Sequence, residues 1–191
     1  VALANTNSEP AADEAINILT GLRQPHGIAF DCSSGLCKLY VAETNQVSIY
    51  DYDADKPAAT NQKKIVDLPS GSGHFTRTIA FGPDPSNLTR RTQRLYVSIG
   101  SSCNVCREAD NRRAKIFSMN KDGSDFKEYA RGLRNSVFFT WHPVTQKMWA
   151  TDNGRDLLGD DIPPDEVNIV EEGKNYGWPT CYGNNIHDTQ F

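Results

Sequence analysis

One histidine stands in a setting suited to chemistry. Gly71-Ser72-Gly73-His74-Phe75-Thr76-Arg77 surrounds an imidazole with glycines that let the backbone present it to a ligand. A neutral imidazole is the usual general base near pH 7. The plainer reading, which spacing alone favours, is a structural histidine in a Gly-rich loop. Further along, Gly132-Leu133-Arg134-Asn135 either meets a ligand or ties down a loop. From Asp152-Asn153-Gly154-Arg155-Asp156 through Gly159-Asp160-Asp161 to Asp165-Glu166, carboxylates alternate with glycine and proline. That mixture suits a hard cation such as calcium, which takes ~6 to 8 oxygens from carboxylates and backbone. It does not match an EF-hand loop, and a solvated acidic loop is the alternative.

The cysteines are few and mostly paired in sequence. Cys32 and Cys37 flank Ser-Ser-Gly-Leu at the tip of an expected hairpin, within reach of a local disulfide. Cys103 and Cys106 enclose Asn-Val, a spacing open to half of a zinc site, a redox dithiol or a tight structural disulfide. Zinc would need a second close pair and the redox reading a βαβ context, so a disulfide is favoured. Cys181 is left over, its partner expected elsewhere in a longer chain. Two such disulfides and the sequon Asn87-Leu88-Thr89 point to a secreted or periplasmic protein.

The elements that must hold these loops repeat. Gly27-Ile28-Ala29-Phe30-Asp31 precedes Leu39-Tyr40-Val41-Ala42-Glu43, Thr78-Ile79-Ala80-Phe81-Gly82 precedes Leu95-Tyr96-Val97-Ser98-Ile99, and Phe139-Thr140-Trp141-His142 precedes Met148-Trp149-Ala150-Thr151-Asp152. Third strands follow at 46–50, 114–119 and 166–170, and fourth strands are expected at 64–68 and 126–130. The copies recur roughly every 55 residues, beyond helical repeats and nearest the ~40 to 50 of propeller blades. No segment keeps a helical period, apart from a weak stretch at 11–19 that reads equally as a strand. The chain is expected to be all-β, with blades around 21–70, 71–131 and 132–183 and irregular ends at 1–15 and 184–191.

Three blades, with a fourth shared between the ends, fall short of or barely reach the ~4 to 8 of a closed ring. The remaining blades are expected from a longer chain or from a second copy. In a propeller, the loops before successive inner strands converge on the axis, so the loops of His74, Arg134 and Asp152 become neighbours. The equivalent loop of the first blade is Gly21-Leu22-Arg23-Gln24-Pro25-His26.

Composition excludes some functions. A net charge of -4 with only isolated basic pairs, Lys63-Lys64, Arg90-Arg91 and Arg112-Arg113, argues against a nucleic-acid groove. Those pairs read as solvated turns. No apolar run reaches the ~20 residues of a membrane span. Trp141, Trp149 and Trp178 are expected to pack between blades rather than stack on a sugar.

Five ordered motifs carry a family resemblance: 73–81, Gly100-Ser101-Ser102-Cys103-Asn104-Val105-Cys106, Gly132-Leu133-Arg134-Asn135, Asp152-Asn153-Gly154-Arg155-Asp156, and Gly173-Lys174-Asn175-Tyr176-Gly177-Trp178-Pro179. The chain resembles the soluble pyrroloquinoline-quinone (PQQ) sugar dehydrogenases, including sorbosone dehydrogenase-like enzymes and fungal pyranose dehydrogenases. The resemblance implies a six-bladed β-propeller whose axial pocket holds PQQ over calcium. It implies that His74 removes the proton of the anomeric hydroxyl while hydride passes to the quinone, giving a lactone, with electrons leaving to a haem protein or an artificial acceptor. Arg134, Asn135 and Arg77 would contact the cofactor, whose three carboxylates suit guanidinium forks. Backbone carbonyls of Gly154 and Arg155 would hold the cofactor calcium, and Glu166 and Tyr176 a second, structural one. Two positions depart from the family: Ser136 stands where proline usually follows Arg-Asn, and Arg155 replaces a proline. The family's later basic cofactor contacts would lie beyond Phe191. The competing readings are a non-catalytic propeller binding module and a calcium-dependent lactonase-like hydrolase.

Overall fold

The computed structural model describes residues 2–4, 14–33, 36–86 and 93–191. The sequon at 87–89 and the pair Arg90-Arg91 lie outside them. Among the described residues every regular element is a strand. A first sheet runs β3 (Gly27–Asp31), β4 (Cys37–Glu43), β5 (Gln46–Asp53) and β6 (Ala58–Asp67) in sequence order, all antiparallel. A second repeats the meander with β7 (Ile79–Pro83), β8 (Gln93–Ile99), β9 (Lys115–Met119) and β10 (Lys127–Arg131). The third holds three strands, β11 (Phe139–Trp141), β12 (Met148–Asp152) and β13 (Glu166–Val170).

The ends differ from the expectation of irregular chain. β1 (Ala2–Ala4) pairs with β2 (Glu14–Ile16), and β14 (Cys181–Tyr182) pairs with β15 (Ile186–His187). Strands of two or three residues are too short to carry a period-two signal, so the sequence pattern does not register them.

Each meander starts on the same side of the molecule: β3 packs beside β7, and β7 beside β11. The sheets therefore stack face on face, and the alternation of β8 shows how. Leu95, Val97 and Ile99 enter one core with Tyr40, Ala42 and Val47 of the first sheet. Tyr96, between them, enters a second core with Ile116, Phe139, Met148 and Ala150 of the second and third sheets. A strand covered on both faces reads as an almost continuous apolar run, which is why Leu-Tyr-Val was the visible repeat. Trp141 packs in this second core against Tyr96 and Phe139.

Candidate active site

Strand starts from the three meanders meet at one edge, where Thr78 Oγ1 donates to the Val137 carbonyl across two of them. The loop ahead of β7 carries His74. Gly73, at φ +84°, sits so close to the next loop that a Cβ there would come 2.5 Å from Ser102 Cα. This approach lets the His74 amide donate to the Ser101 carbonyl at 2.9 Å.

The ring is held by the same residue. His74 Nδ1 lies 3.1 Å from the Ser101 carbonyl and 3.0 Å from Ser101 Oγ. Ser101 Oγ gives its only hydrogen to the Cys103 carbonyl at 2.6 Å, so both partners of Nδ1 are acceptors. The proton therefore belongs on Nδ1 and the lone pair on Nε2. Burial, and after it the Arg134 guanidinium, hold the pKa of His74 below its ordinary value, opposed by the Ser101 bond. The imidazole is neutral at pH 7 with Nε2 as its basic atom.

Two arginines brace this loop from behind. Arg77 is fully buried and donates to the carbonyls of His74 (2.9 Å), Thr76 (2.6 Å) and Pro69 (2.7 Å). These bonds support the histidine's backbone. Arg113, expected in a solvated turn, is also buried and donates to the carbonyls of His74 at 3.2 Å and Gly100 at 3.3 Å. The reason is shared: the loop has no strand partner, so its buried carbonyls need side-chain donors. Burial, and after it Arg113, pull the pKa of Arg77 down to about 10.

Arg134 and Asn135 come from the loop between β10 and β11. Their amides are gripped by one carboxylate, Asp152, which accepts from Arg134 N at 2.9 Å and Asn135 N at 2.7 Å. Asp152 is almost completely buried, and burial pushes its pKa up to about 7 against the pull of the two amides. Gly100 closes the contact with the histidine: a Cβ there would lie 2.6 Å from Asn135 Oδ1 and 2.7 Å from His74 Cβ. The Arg134 carbonyl accepts from Ser101 N at 2.8 Å. His74, Arg134 and Asn135 are thus joined through residues 100–101.

The Arg134 side chain has all five of its hydrogens in use. Nε donates to the Asn104 carbonyl (2.9 Å), one terminal nitrogen to the carbonyls of Asn153 (3.3 Å) and Gly154 (2.7 Å), the other to Asn104 Oδ1 (3.0 Å) and Asp156 Oδ2 (3.0 Å). Of these acceptors only the Asp156 carboxylate is a flexible surface group, 72% exposed. A ligand carboxylate could take its place, so the residues present fit an anionic cofactor.

Calcium fits less well. The Gly154 carbonyl already accepts from the Arg134 cation, whose charge repels a metal ion. Tyr176 has both functions of its hydroxyl engaged, donating to the Ile169 carbonyl at 2.7 Å and accepting from Glu171 N at 2.9 Å. Glu166 accepts from Asn168 Nδ2 at 2.9 Å and Gly183 N at 2.8 Å. Arg155 turns its side chain inward to Asp188 at 2.5 Å, the two being 8% and 2% exposed. These groups line one small cavity of about 20 Å³ together with Asp152. Among the described residues the one convergent set of metal-type donors is Cys103, Cys106 and Glu108. Its sulfurs are bonded to each other, so it offers no thiolate. Cys32 and Cys37 form the other disulfide, and Cys181 is free.

Local spacing missed Asp152 as a clamp, Arg113 as a brace and Asp165, which accepts from Gly154 N at 2.9 Å and holds the 153–154 turn. A buried aspartate ending an inner-sheet strand, opposite an Arg-Asn pair, was the available signal for the first.

The profile of the TrAA12-like family matches residues 4–189. The chain belongs to the TrAA12-like family. A PQQ-dependent sugar dehydrogenase of Hypocrea jecorina is 27% identical over 205 residues, covering 92% of this chain and 44% of that one. The calcium structure of Trichoderma reesei Carbohydrate-Active Enzymes Family AA12 superposes with a TM-score of 0.77 at 22% identity, covering 95% of this chain and 50% of that one. The holo PQQ domain of pyranose dehydrogenase from Coprinopsis cinerea gives a TM-score of 0.65 at 18% identity, covering 91% and 57%. The TrAA12-like chain spans less than half the length of the curated relative, and its fold is that of part of a β-propeller.

Proposed function

We propose that this chain is the portion of a quinoprotein sugar dehydrogenase that supplies the general base and the first cofactor contacts. The observation that carries the reading is the His74 ring, neutral and fixed with its lone pair on Nε2 by two acceptors on Ser101. PQQ, when bound, supplies the two-electron acceptor for a hydride from the anomeric carbon. His74 Nε2 takes the proton of the anomeric hydroxyl in the same event, and the product is a lactone. The Ser101 carbonyl and hydroxyl orient the ring and stabilise the imidazolium as it forms, while burial, and after it Arg134, favour the deprotonated free histidine. Arg134 would receive a cofactor carboxylate in exchange for Asp156, and Asn135 lies beside it. No step is assigned to calcium.

Both end sheets leave apolar side chains uncovered. Trp149, Val167 and Ile169 are exposed on one face of β12 and β13, and Ile28 and Phe30 on β3. Such faces are costly in water, and further blades of the same ring are the natural cover. Two disulfides fit a secreted or periplasmic site of action, and among the described residues no helix is long and apolar enough to cross a membrane. Electrons then leave to a haem protein or an artificial dye.

The test is reconstitution of the full-length protein with PQQ, with and without calcium, followed by dye reduction with a panel of aldoses. Sugar-dependent reduction that disappears in His74→Ala is expected. No reduction with any sugar, with parent and variant alike, would leave the non-catalytic binding module as the correct reading.

A further inference from the structure

The loop closed by Cys103 and Cys106 is small, yet it reaches Arg134, Asp156 and Trp178. Inside it, Asn104 uses every polar atom of its side chain and its carbonyl. The carbonyl accepts from Arg134 Nε at 2.9 Å and from Trp178 Nε1 at 3.3 Å. Oδ1 accepts from the second terminal nitrogen of Arg134 at 3.0 Å and from Asp156 N at 2.7 Å, and Nδ2 donates to the Asp156 carbonyl at 3.0 Å. One residue thus grips the arginine with two parallel acceptors, and also fixes the backbone of Asp156, the carboxylate opposite.

Two parallel bonds define the plane of a guanidinium as well as its position. The grip is stiff because the loop is closed at both ends. The Cys103 to Cys106 disulfide ties its ends together, Ser101 Oγ donates to the Cys103 carbonyl at 2.6 Å, and Glu108 accepts from Ser102 N and Oγ at 2.7 and 2.6 Å. The other side of the Arg134 fork rests on the carbonyls of Asn153 and Gly154, so among the described residues Asn104 is the only side chain besides the exposed Asp156 that bonds it.

We propose that Asn104 is the positioning residue for Arg134, and that the Cys103 to Cys106 disulfide serves the site by holding Asn104 in place. The proposal rests on the reading of Arg134 as a ligand-binding residue only for its functional consequence. The geometric claim stands without it.

The experiment uses the full-length protein with Asn104→Ala, Asn104→Asp, Cys103→Ser with Cys106→Ser, and, as a control, Cys32→Ser with Cys37→Ser. The terminal Arg134 N–H that bonds Asn104 Oδ1 is observed directly by NMR on arginine-labelled protein and assigned by its loss in Arg134→Lys. In the parent and in Asn104→Asp, which retains both acceptors, this hydrogen exchanges slowly. In Asn104→Ala its exchange rises at least about tenfold, the loss expected for a charge-assisted bond. The Cys103 and Cys106 pair of substitutions moves it the same way, and the control pair does not. PQQ affinity, by titration of the protein with PQQ alone, falls by at least about tenfold in Asn104→Ala and is retained in Asn104→Asp. Unchanged exchange in Asn104→Ala, or equal loss in the control pair, overturns the proposal. A parent that fails to bind PQQ refutes the cofactor reading instead, and the exchange comparison still decides the role of Asn104.

Discussion

Asp152→Asn should be the most informative single substitution outside the histidine. In the parent, one buried carboxylate accepts from the amides of Arg134 and Asn135 at 2.9 and 2.7 Å. The amide side chain keeps one oxygen acceptor but turns an NH₂ toward the other backbone donor. One backbone bond is lost and its buried N–H is left without an acceptor, which costs about 1 to 3 kcal/mol. The pH dependence has a definite sign. Burial raises the carboxyl from 3.8 to about 7, so the folded protein binds a proton that the unfolded chain has released between those values. The stability this group contributes is therefore greatest at low pH and is lost as pH rises toward 7, with a slope of at most about 1.4 kcal/mol per unit. Asparagine has no such term, so the penalty of the substitution should be larger at pH 5 than at pH 8. Urea unfolding of the full-length protein at both pH values measures it, and amide exchange at Arg134 and Asn135 localises the damage. A variant as stable as the parent at both values, or a penalty that shrinks on acidification, would refute the reasoning.

Other substitutions test other links. Because His74 sits below its ordinary pKa of 6.5, sugar oxidation should hold its rate to a lower pH than a free imidazole would allow, and His74→Ala should lower kcat by about 10² to 10⁴; a pH profile of kcat/KM checks both. Gly73→Ala places a methyl against the Ser101 and Ser102 backbone at φ +84°, and a melting curve should show a loss of about 2 kcal/mol or more. Arg155→Ala strands the carboxylate of Asp188, 2% exposed, in a buried site; the expected loss of about 3 to 5 kcal/mol would be relieved by adding Asp188→Asn, and a double-mutant cycle reads the coupling.

Much of the fold was legible because β8 is covered on both faces, so Leu95, Tyr96, Val97 and Ile99 appear as an apolar run broken only by Ser98, and a similar run recurs with each sheet. The loops that carry His74, Arg134 and Asn135 were legible too, since glycine at Gly73 and Gly132 marks turns by its own conformational freedom. What those loops touch was not. Arg77 and Arg113 look alike in sequence to any exposed arginine, and only the unpaired carbonyls around His74 explain why they are buried.

The residue types by themselves determined a repeated all-β chain and a set of loops bearing a base, a guanidinium and carboxylates, because period-two burial and turn chemistry are local properties. The tertiary structure decided which of those groups work together: Asp152 with the amides of Arg134 and Asn135, Asn104 with the Arg134 fork, and Ser101 with the His74 ring. Those partners lie between 17 and 30 residues apart. Hydrogen bonds over such separations depend on how the sheets stack around their common edge, a geometry that no local spacing encodes.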